Sequence, residues 1–311
     1  MELLTDLMQN VTQSTWLVSG VLIVLSIAVL ACARLTGPRH VAVRRFVSSI
    51  GLPVDEGVEH AVSAAQGRRA VGIAIGGIVG TVLATLFVWL VGADRGGPAP
   101  LFLIGAYAVA ASVGRAVASI SGEAKKLGGS DHVAHARLRL LGDYIPGWER
   151  GAARTMVGLS VVALTVEMAM PWIRTDVLGQ VFPEGFSVAA TVTFLAAVAL
   201  IGFEVGGRLI LRVRQRQGSE LSLAWDDLLR SSAVRDLATA AFLLGTFGAF
   251  FAVQEVVRAM DPMNPPFIAS AAGFNMVGTL VIIAVVVESL LSRPQQHILR
   301  RRYPDLVGEG A

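Results

Sequence analysis

Apolar positions in this chain come in long unbroken blocks, with no alternation of period two. Residues 68 to 120, RRAVGIAIGGIVGTVLATLFVWLVGADRGGPAPLFLIGAYAVAASVGRAVASI, open on Arg68 and Arg69 and run uncharged from Ala70 to Gly92. They then turn through Asp94 and Arg95 and run apolar again from Leu101. About 20 apolar residues at ~1.5 Å rise span the ~30 Å hydrocarbon layer, so each half is long enough to cross a bilayer. The stretch predicts a transmembrane helical hairpin, around which the rest of the chain is organised.

Two further pairs of blocks share the layout: 151–173 with 186–214, and 233–253 with 271–293. In each, Arg stands before the first block, a polar turn joins the two, and a charged group falls late in the second. This spacing predicts three related hairpins, at about 55–120, 140–214 and 222–293. With one more block near the N-terminus, the expected spans are 15–33, 70–92, 101–120, 155–173, 186–207, 237–254 and 268–291. The fold class is thus all-α: a single membrane domain of about seven transmembrane helices.

Composition agrees, with 54% hydrophobic and 16% charged residues. Lipid leaves no backbone group satisfied from outside, so the blocks must be helices, and ten-residue alternating segments typical of a barrel do not occur. The one cysteine, Cys32, lies in an apolar block, where it reads as a small buried residue and has no intrachain disulfide partner.

Net charge is +3, and the placement of the basic residues points to a membrane side and away from nucleic acid. Of the 26 Lys and Arg, all but Arg95, Arg115, Arg174 and Arg258 fall in the loops at 34–69, 121–154 and 208–235 or in the tail from Arg293. The positive-inside tendency makes that side cytoplasmic, with the N-terminus outside, the C-terminus inside and the protein in the cell (inner or plasma) membrane. Residues 1–14 carry Glu2 and Asp6 and no basic residue, unlike a secretory signal, so the first span is expected to be retained. The long loops contain amphipathic stretches: in SELSLAWDDLLRSSAVRD, Leu221, Trp225, Leu228 and Leu229 share a face while Asp226, Asp227 and Arg230 fall elsewhere. VDEGVEHAVSAA reads alike, and both predict short cytoplasmic helices lying against the membrane or each other.

Within the spans, Gly72, Gly76 and Gly80 form a GxxxGxxxG face, and Gly202 and Gly206 repeat the spacing, so both predict close helix approach. The intramembrane charges are Arg115, Glu167, Glu204 and Glu288, with Asp236 and Glu255 at edges. A charge at mid-bilayer costs a few kcal/mol even on mild scales, so these groups should face protein or water. Glu204 precedes Arg208 by one turn and can pair with it, whereas Arg115 has no acid on its own span and takes Glu204 or Glu288 as candidate partners.

Catalytic and cofactor signatures are missing. No GxxxxGK[ST], GxGxxG, GxSxG or HExxH string occurs. Asp131, His132 and His135 put two imidazoles one turn apart, but two His and a carboxylate without Cys are a weak metal set. A retinal protein needs a Lys inside a span, and the only lysines are Lys125 and Lys126 in a loop; all five His lie outside the spans, which argues against haem ligation. The expected cofactor and metal complement is therefore none. All 12 prolines sit in loops, turns or span ends, unlike the broken helices of secondary transporters.

The segments RRFVSSIGLPVDEGVEHAVSAAQGRRAVGIAIGGIVG and GRLILRVRQRQGSELSLAWDDLLRSSAVRDLATAAFLLG carry the repeat order: basic residues, acidic amphipathic stretch, Arg, then hairpin. That order resembles the conserved-TM-helix repeat proteins, which are grouped with the small-conductance (MscS-like) mechanosensitive channels. The resemblance implies a channel or its tension-sensing module, in contact with membrane lipids and assembled as a homo-oligomer or with a partner subunit. The family's Gly/Ala-ribbed pore helix and β-rich domain have no counterpart here, so no pore residue carries over. A non-conducting accessory subunit is the alternative function, and a transporter the third.

Overall fold

The computed structural model describes residues 2–35, most of 41–52, and 56–92, 99–124, 140–173, 188–212, 220–260 and 295–303. Among them every regular element is helical. They are α1 (Glu2–Arg34), α2 (Glu56–Gly92), α3 (Ala99–Ala124), α4 (Leu141–Tyr144) and α5 (Gly147–Ile173). Next comes α6 (Val188–Ile201), which continues through a π-helical turn (Gly202–Gly206) into α7 (Gly207–Arg212), followed by α8 (Glu220–Met260) and α9 (Gln295–Arg302). Five stretches are long and apolar enough to cross a membrane: Trp16–Arg34, Val58–Leu86, Gly147–Ala169, Ala189–Arg212 and Glu220–Val257. The apolar run Leu103–Ser119 of α3 is shorter, and the expected seventh span, 268–291, lies outside the described residues.

The centre of the bundle is α8, where the sequence pattern placed the 68–120 hairpin. It packs against α2, α3, α4, α5, α6, α7 and α9, whereas α1 packs on α2 and α3. Its burial runs all round the helix, through Ala224, Leu228, Val234, Ala241, Leu243 and Ala252, which is the signature of an interior helix. At ~1.5 Å per residue its 41 residues reach about 60 Å, twice the hydrocarbon thickness and more than a single crossing needs. The described parts of the two amphipathic stretches, 56–65 and 220–235, are not separate short helices but the first portions of α2 and α8, continuous with their apolar runs.

Two kinds of close crossing fix the helices. On α2, a methyl group at Gly72 or Gly76 would overlap the carbonyl of Gly114 or Ala110, and one at Gly80 would meet Ala110 and, at 3.0 Å, the Ala106 carbonyl. The facing row on α3, Ala106, Ala110, Gly114 and Ala118, has the same four-residue spacing, so small residues meet small residues and the two backbones touch. On α8, a methyl at Gly245 would lie 2.7 Å from the Val157 backbone nitrogen of α5, and one at Gly248 would lie 2.8 Å from Thr193 Oγ1 of α6. Gly105 of α3 leaves room for the Phe247 ring, which seats the first hairpin on α8.

Outward faces are apolar, as lipid requires: Trp16, Val24, Leu83, Val117, Val162 and Phe194 are all exposed. Cys32 is exposed as well, against the expectation of a buried position, because α1 presents that part of its surface away from α2 and α3.

Candidate functional site

Where α8 passes from the polar region into its apolar half, two consecutive residues point to different neighbours. Asp236 faces α2 and α3, and Arg235 faces α5. Successive helical residues are ~100° apart, so one turn of α8 serves both sides.

Asp236 Oδ1 lies 3.0 Å from Arg115 Nε, in contact but out of line for a hydrogen bond. Asp236 Oδ2 accepts a hydrogen bond from Ser119 Oγ at 2.9 Å and lies 3.3 Å from Arg69 Nε. Arg69 also donates from Nε to Ser119 Oγ at 3.2 Å and from Nη2 to Ser232 Oγ, and Ser232 Oγ in turn donates to the Leu229 carbonyl at 2.8 Å. Arg69 and Asp236 are nearly buried, whereas the Arg115 side chain is 35% exposed. Two guanidiniums thus converge on one carboxylate. The expected partners of Arg115 were Glu204 and Glu288; the structure places Asp236 beside it, because α3 packs on α8 at this level.

On the other side Arg235 Nη2 stands 2.9 Å from Glu149 Oε1, again without hydrogen-bond alignment, and both are nearly buried. Glu204 occupies the π-helical turn and takes Arg154 of α5: Arg154 Nε donates to Oε1 at 2.8 Å, and Nη2 reaches the same oxygen. The anticipated Glu204–Arg208 pair is present too, but longer, at 3.8 Å. Arg154 is half-exposed, which leaves that pair screened and weak. The π turn widens the helix by one residue and turns Glu204 toward α5; such turns often mark functional positions.

Farther out, the charges that fall off the apolar face of α8 include two buried ones, Asp227 and Arg230. Asp227 is 1% exposed and accepts hydrogen bonds from Tyr144 (2.8 Å), Tyr303 (3.0 Å) and Arg302 (3.4 Å). Arg230, equally buried, donates to Asp226 at 2.8 Å and to the Ile210 carbonyl at 3.3 Å, tying α8 to α7. Arg302 also reaches Asp143 at 3.3 Å and stacks 5.1 Å over the Tyr144 ring, while Ser231 donates to the Tyr144 carbonyl at 2.7 Å. Burial lowers the Arg302 pKa, but Tyr144, Asp227 and Asp143 outweigh it and the net shift is upward. The cover over this face comes from α4, α9 and the 41–52 segment, where Phe46 packs on Trp225 with ring centroids 6.4 Å apart.

The glycine rows divide. Gly72, Gly76 and Gly80 stand at the α2–α3 crossing, but a methyl at Gly202 would meet nothing within 4 Å and one at Gly206 only Leu237 Cδ1, at an ordinary 3.5 Å. Glu167 is buried in α5, apart from the Asp236 cluster. Glu288, and the loop with Asp131, His132 and His135, lie outside the described residues. Ser119, Ser232, Glu149 and Arg235 were not singled out from sequence, and Arg69 was named only as a basic residue that opens the first hairpin. Their signal was present all the same: Arg69, Glu149 and Arg235 each stand within a few residues of the start of an apolar block, where a charge can be shared between helices. Comparisons with protein-family models, with curated proteins and with solved structures found no match to this chain.

Proposed function

We propose that the chain is a tension-responsive membrane module, a channel or the sensing part of one, with its basic end cytoplasmic and its N-terminus outside. The supporting observation is the construction of the first hairpin. Glycine packing locks α2 to α3, the outward faces are apolar at Ile75, Val79, Leu83 and Val117, and the pair meets α8 at the Gly105–Phe247 contact and at the Arg69–Arg115–Asp236 cluster. A stiff, lipid-facing pair held to a central helix by a compact contact can tilt as a unit when the bilayer thins, and hydrophobic mismatch supplies a cost of fractions of a kcal/mol per Å to drive it. Membrane lipids are its first partners. Further copies of the chain, or a pore-forming subunit, are the second.

Patch recording from liposomes holding only the purified protein tests this. Tension-gated currents that shift in threshold with Gly76→Leu support a channel. Silence up to rupture favours the second reading, a non-conducting accessory subunit. The closed cluster around Asp227, Arg230 and Arg302 favours that reading, since it forms a rigid platform at the basic end.

A further inference from the structure

The apolar surfaces of α5 and of the α6–α7 helix end at one level. The 19 residues from Thr155 to Ile173 of α5 carry one charge, Glu167, and it is buried. At ~1.5 Å per residue they cover about 28 Å, close to the ~30 Å of a hydrocarbon layer. On α6 no charged residue occurs from Val188 through Phe203, and Phe194, Val198 and Ile201 are exposed. Arg154, which precedes the first run, meets Glu204, which follows the second. Glu204 takes Arg154 on Oε1, while its Oε2 lies 3.8 Å from Arg208 Nη2, so two guanidiniums flank one carboxylate. With that carboxylate in place the side chains of Arg154 and Arg208 are still 49% and 68% exposed. Arg212, also exposed, stands one turn beyond Arg208 on the same side of α7. Trp148, about 9 Å farther along α5 from the apolar run, is exposed too, as suits the polar boundary where indole rings sit.

We propose that Arg154, Arg208 and Arg212 form a docking surface for the phosphates of anionic membrane lipids, with Glu204 positioning the first two. Guanidinium and phosphate match in shape and form paired, charge-assisted hydrogen bonds. The exposed apolar strip of Phe194, Ile201 and Val205 leads up to Arg208 and Leu209, so acyl chains can lie along it while the headgroup meets the arginines. A free anion would use the arginines and leave the strip unused; a lipid fits both. Anionic lipid also attracts basic residues that stand at the end of a span. The inference rests on the reading of this chain as a membrane protein with lipids as its first partners, and not on conduction.

The test is native mass spectrometry of the delipidated full chain titrated with phosphatidylglycerol, with phosphatidylcholine, and with phosphatidylglycerol in the presence of excess inorganic phosphate. The variants are Arg208→Gln, the double variant Arg154→Gln/Arg208→Gln, and Arg34→Gln, which removes an exposed cation from the last turn of α1, a helix that packs on α2 and α3. Arg208 is the most exposed of the arginines paired with Glu204, so Arg208→Gln is expected to fold with an unchanged elution profile. Phosphatidylglycerol should bind wild type and Arg34→Gln alike, Arg208→Gln about threefold more weakly and the double variant about tenfold, as the loss of charged but water-screened contacts implies. Phosphatidylcholine should bind every variant weakly. Equal binding of phosphatidylglycerol to wild type and the double variant would overturn the assignment. An equal loss with Arg34→Gln would overturn it too, by making binding a matter of net charge, and displacement of the lipid by inorganic phosphate would make the site one for a free anion. Weakened lipid binding in the double variant together with silent patch recordings would support the lipid site while the channel reading fails.

Discussion

In the first hairpin α2 and α3 meet backbone to backbone along Gly72, Gly76, Gly80 and Gly114, whereas α5 and α6 of the second each lean on α8 more than on each other. The charges follow the same division. The first hairpin is joined to α8 by two guanidiniums on one carboxylate, the second by an ion pair of opposite polarity, Glu149 of α5 with Arg235 of α8. A hairpin whose helices hold each other can move against α8 as one body. A hairpin whose helices hold α8 separately belongs to the frame. Similar hydropathy therefore hides two packing arrangements.

The largest expected effect comes from Asp236→Asn, which removes the carboxylate that Arg69 and Arg115 share. Breaking a buried pair costs about 3 to 5 kcal/mol, and the lower end applies because Arg115 is partly exposed and screened. The melting temperature in detergent should fall sharply, and adding Arg115→Gln to Asp236→Asn should recover part of the loss. If the double variant melts no higher than Asp236→Asn, the two cations are not coupled through Asp236.

Overpacking separates the two hairpins next. Gly76→Leu pushes α2 off α3, and Gly245→Leu pushes α5 off α8, each at about 1 to 3 kcal/mol. Both should destabilise, but cysteine cross-linking between α3 and α8 should survive Gly76→Leu poorly and Gly245→Leu well. The reverse order would assign the mobile unit to the second hairpin. Ile78→Leu, nearly volume-conserving, should leave the protein close to wild type.

Glu204→Gln should have a smaller effect, about 0.5 to 1 kcal/mol, because half-exposed Arg154 is solvated once the pair is lost. Thermal unfolding of Glu204→Gln beside Arg154→Gln measures it. A loss as large as that of Asp236→Asn would show that the π turn is stabilised chiefly by this contact.

Sequence carried the helical membrane class well, since blocks such as Ala70–Gly92 admit few other readings. It carried the pairing of charges poorly. Arg115 was matched to acids on other spans by depth alone, and depth does not say which helix face is adjacent; packing of Gly105 on Phe247 decides that. The burial of Asp227 and Arg230 was not legible because amphipathic periodicity sees one helix at a time, whereas Asp227 is covered by Tyr144, Tyr303 and Arg302, up to 83 residues away, and Arg230 reaches the Ile210 carbonyl of α7. Ser119 and Ser232 gave no signal, since a lone serine reads the same in lipid as beside an arginine.

The smallest effect is the one that best separates spacing from contact. Gly202 and Gly206 repeat the four-residue interval of Gly72 and Gly76, so the sequence pattern treats them as equivalent. In the structure a methyl at Gly202 enters open space and a methyl at Gly76 strikes a backbone carbonyl. The flanking residues Ile201 and Gly207 have ordinary right-handed helical angles, φ of −61° and −57°, and Gly202 is not in the left-handed region, so alanine is sterically allowed there. Gly202→Ala should therefore gain up to about 0.5 to 1 kcal/mol, by restricting the unfolded chain and favouring the helix. Gly76→Ala, with the same chemical change, should lose stability. Melting curves of the two variants in one detergent would show shifts of opposite sign. A loss at Gly202 would mean that another surface packs there, a second copy of the chain or a partner helix, and would move the second hairpin from the frame to an interface.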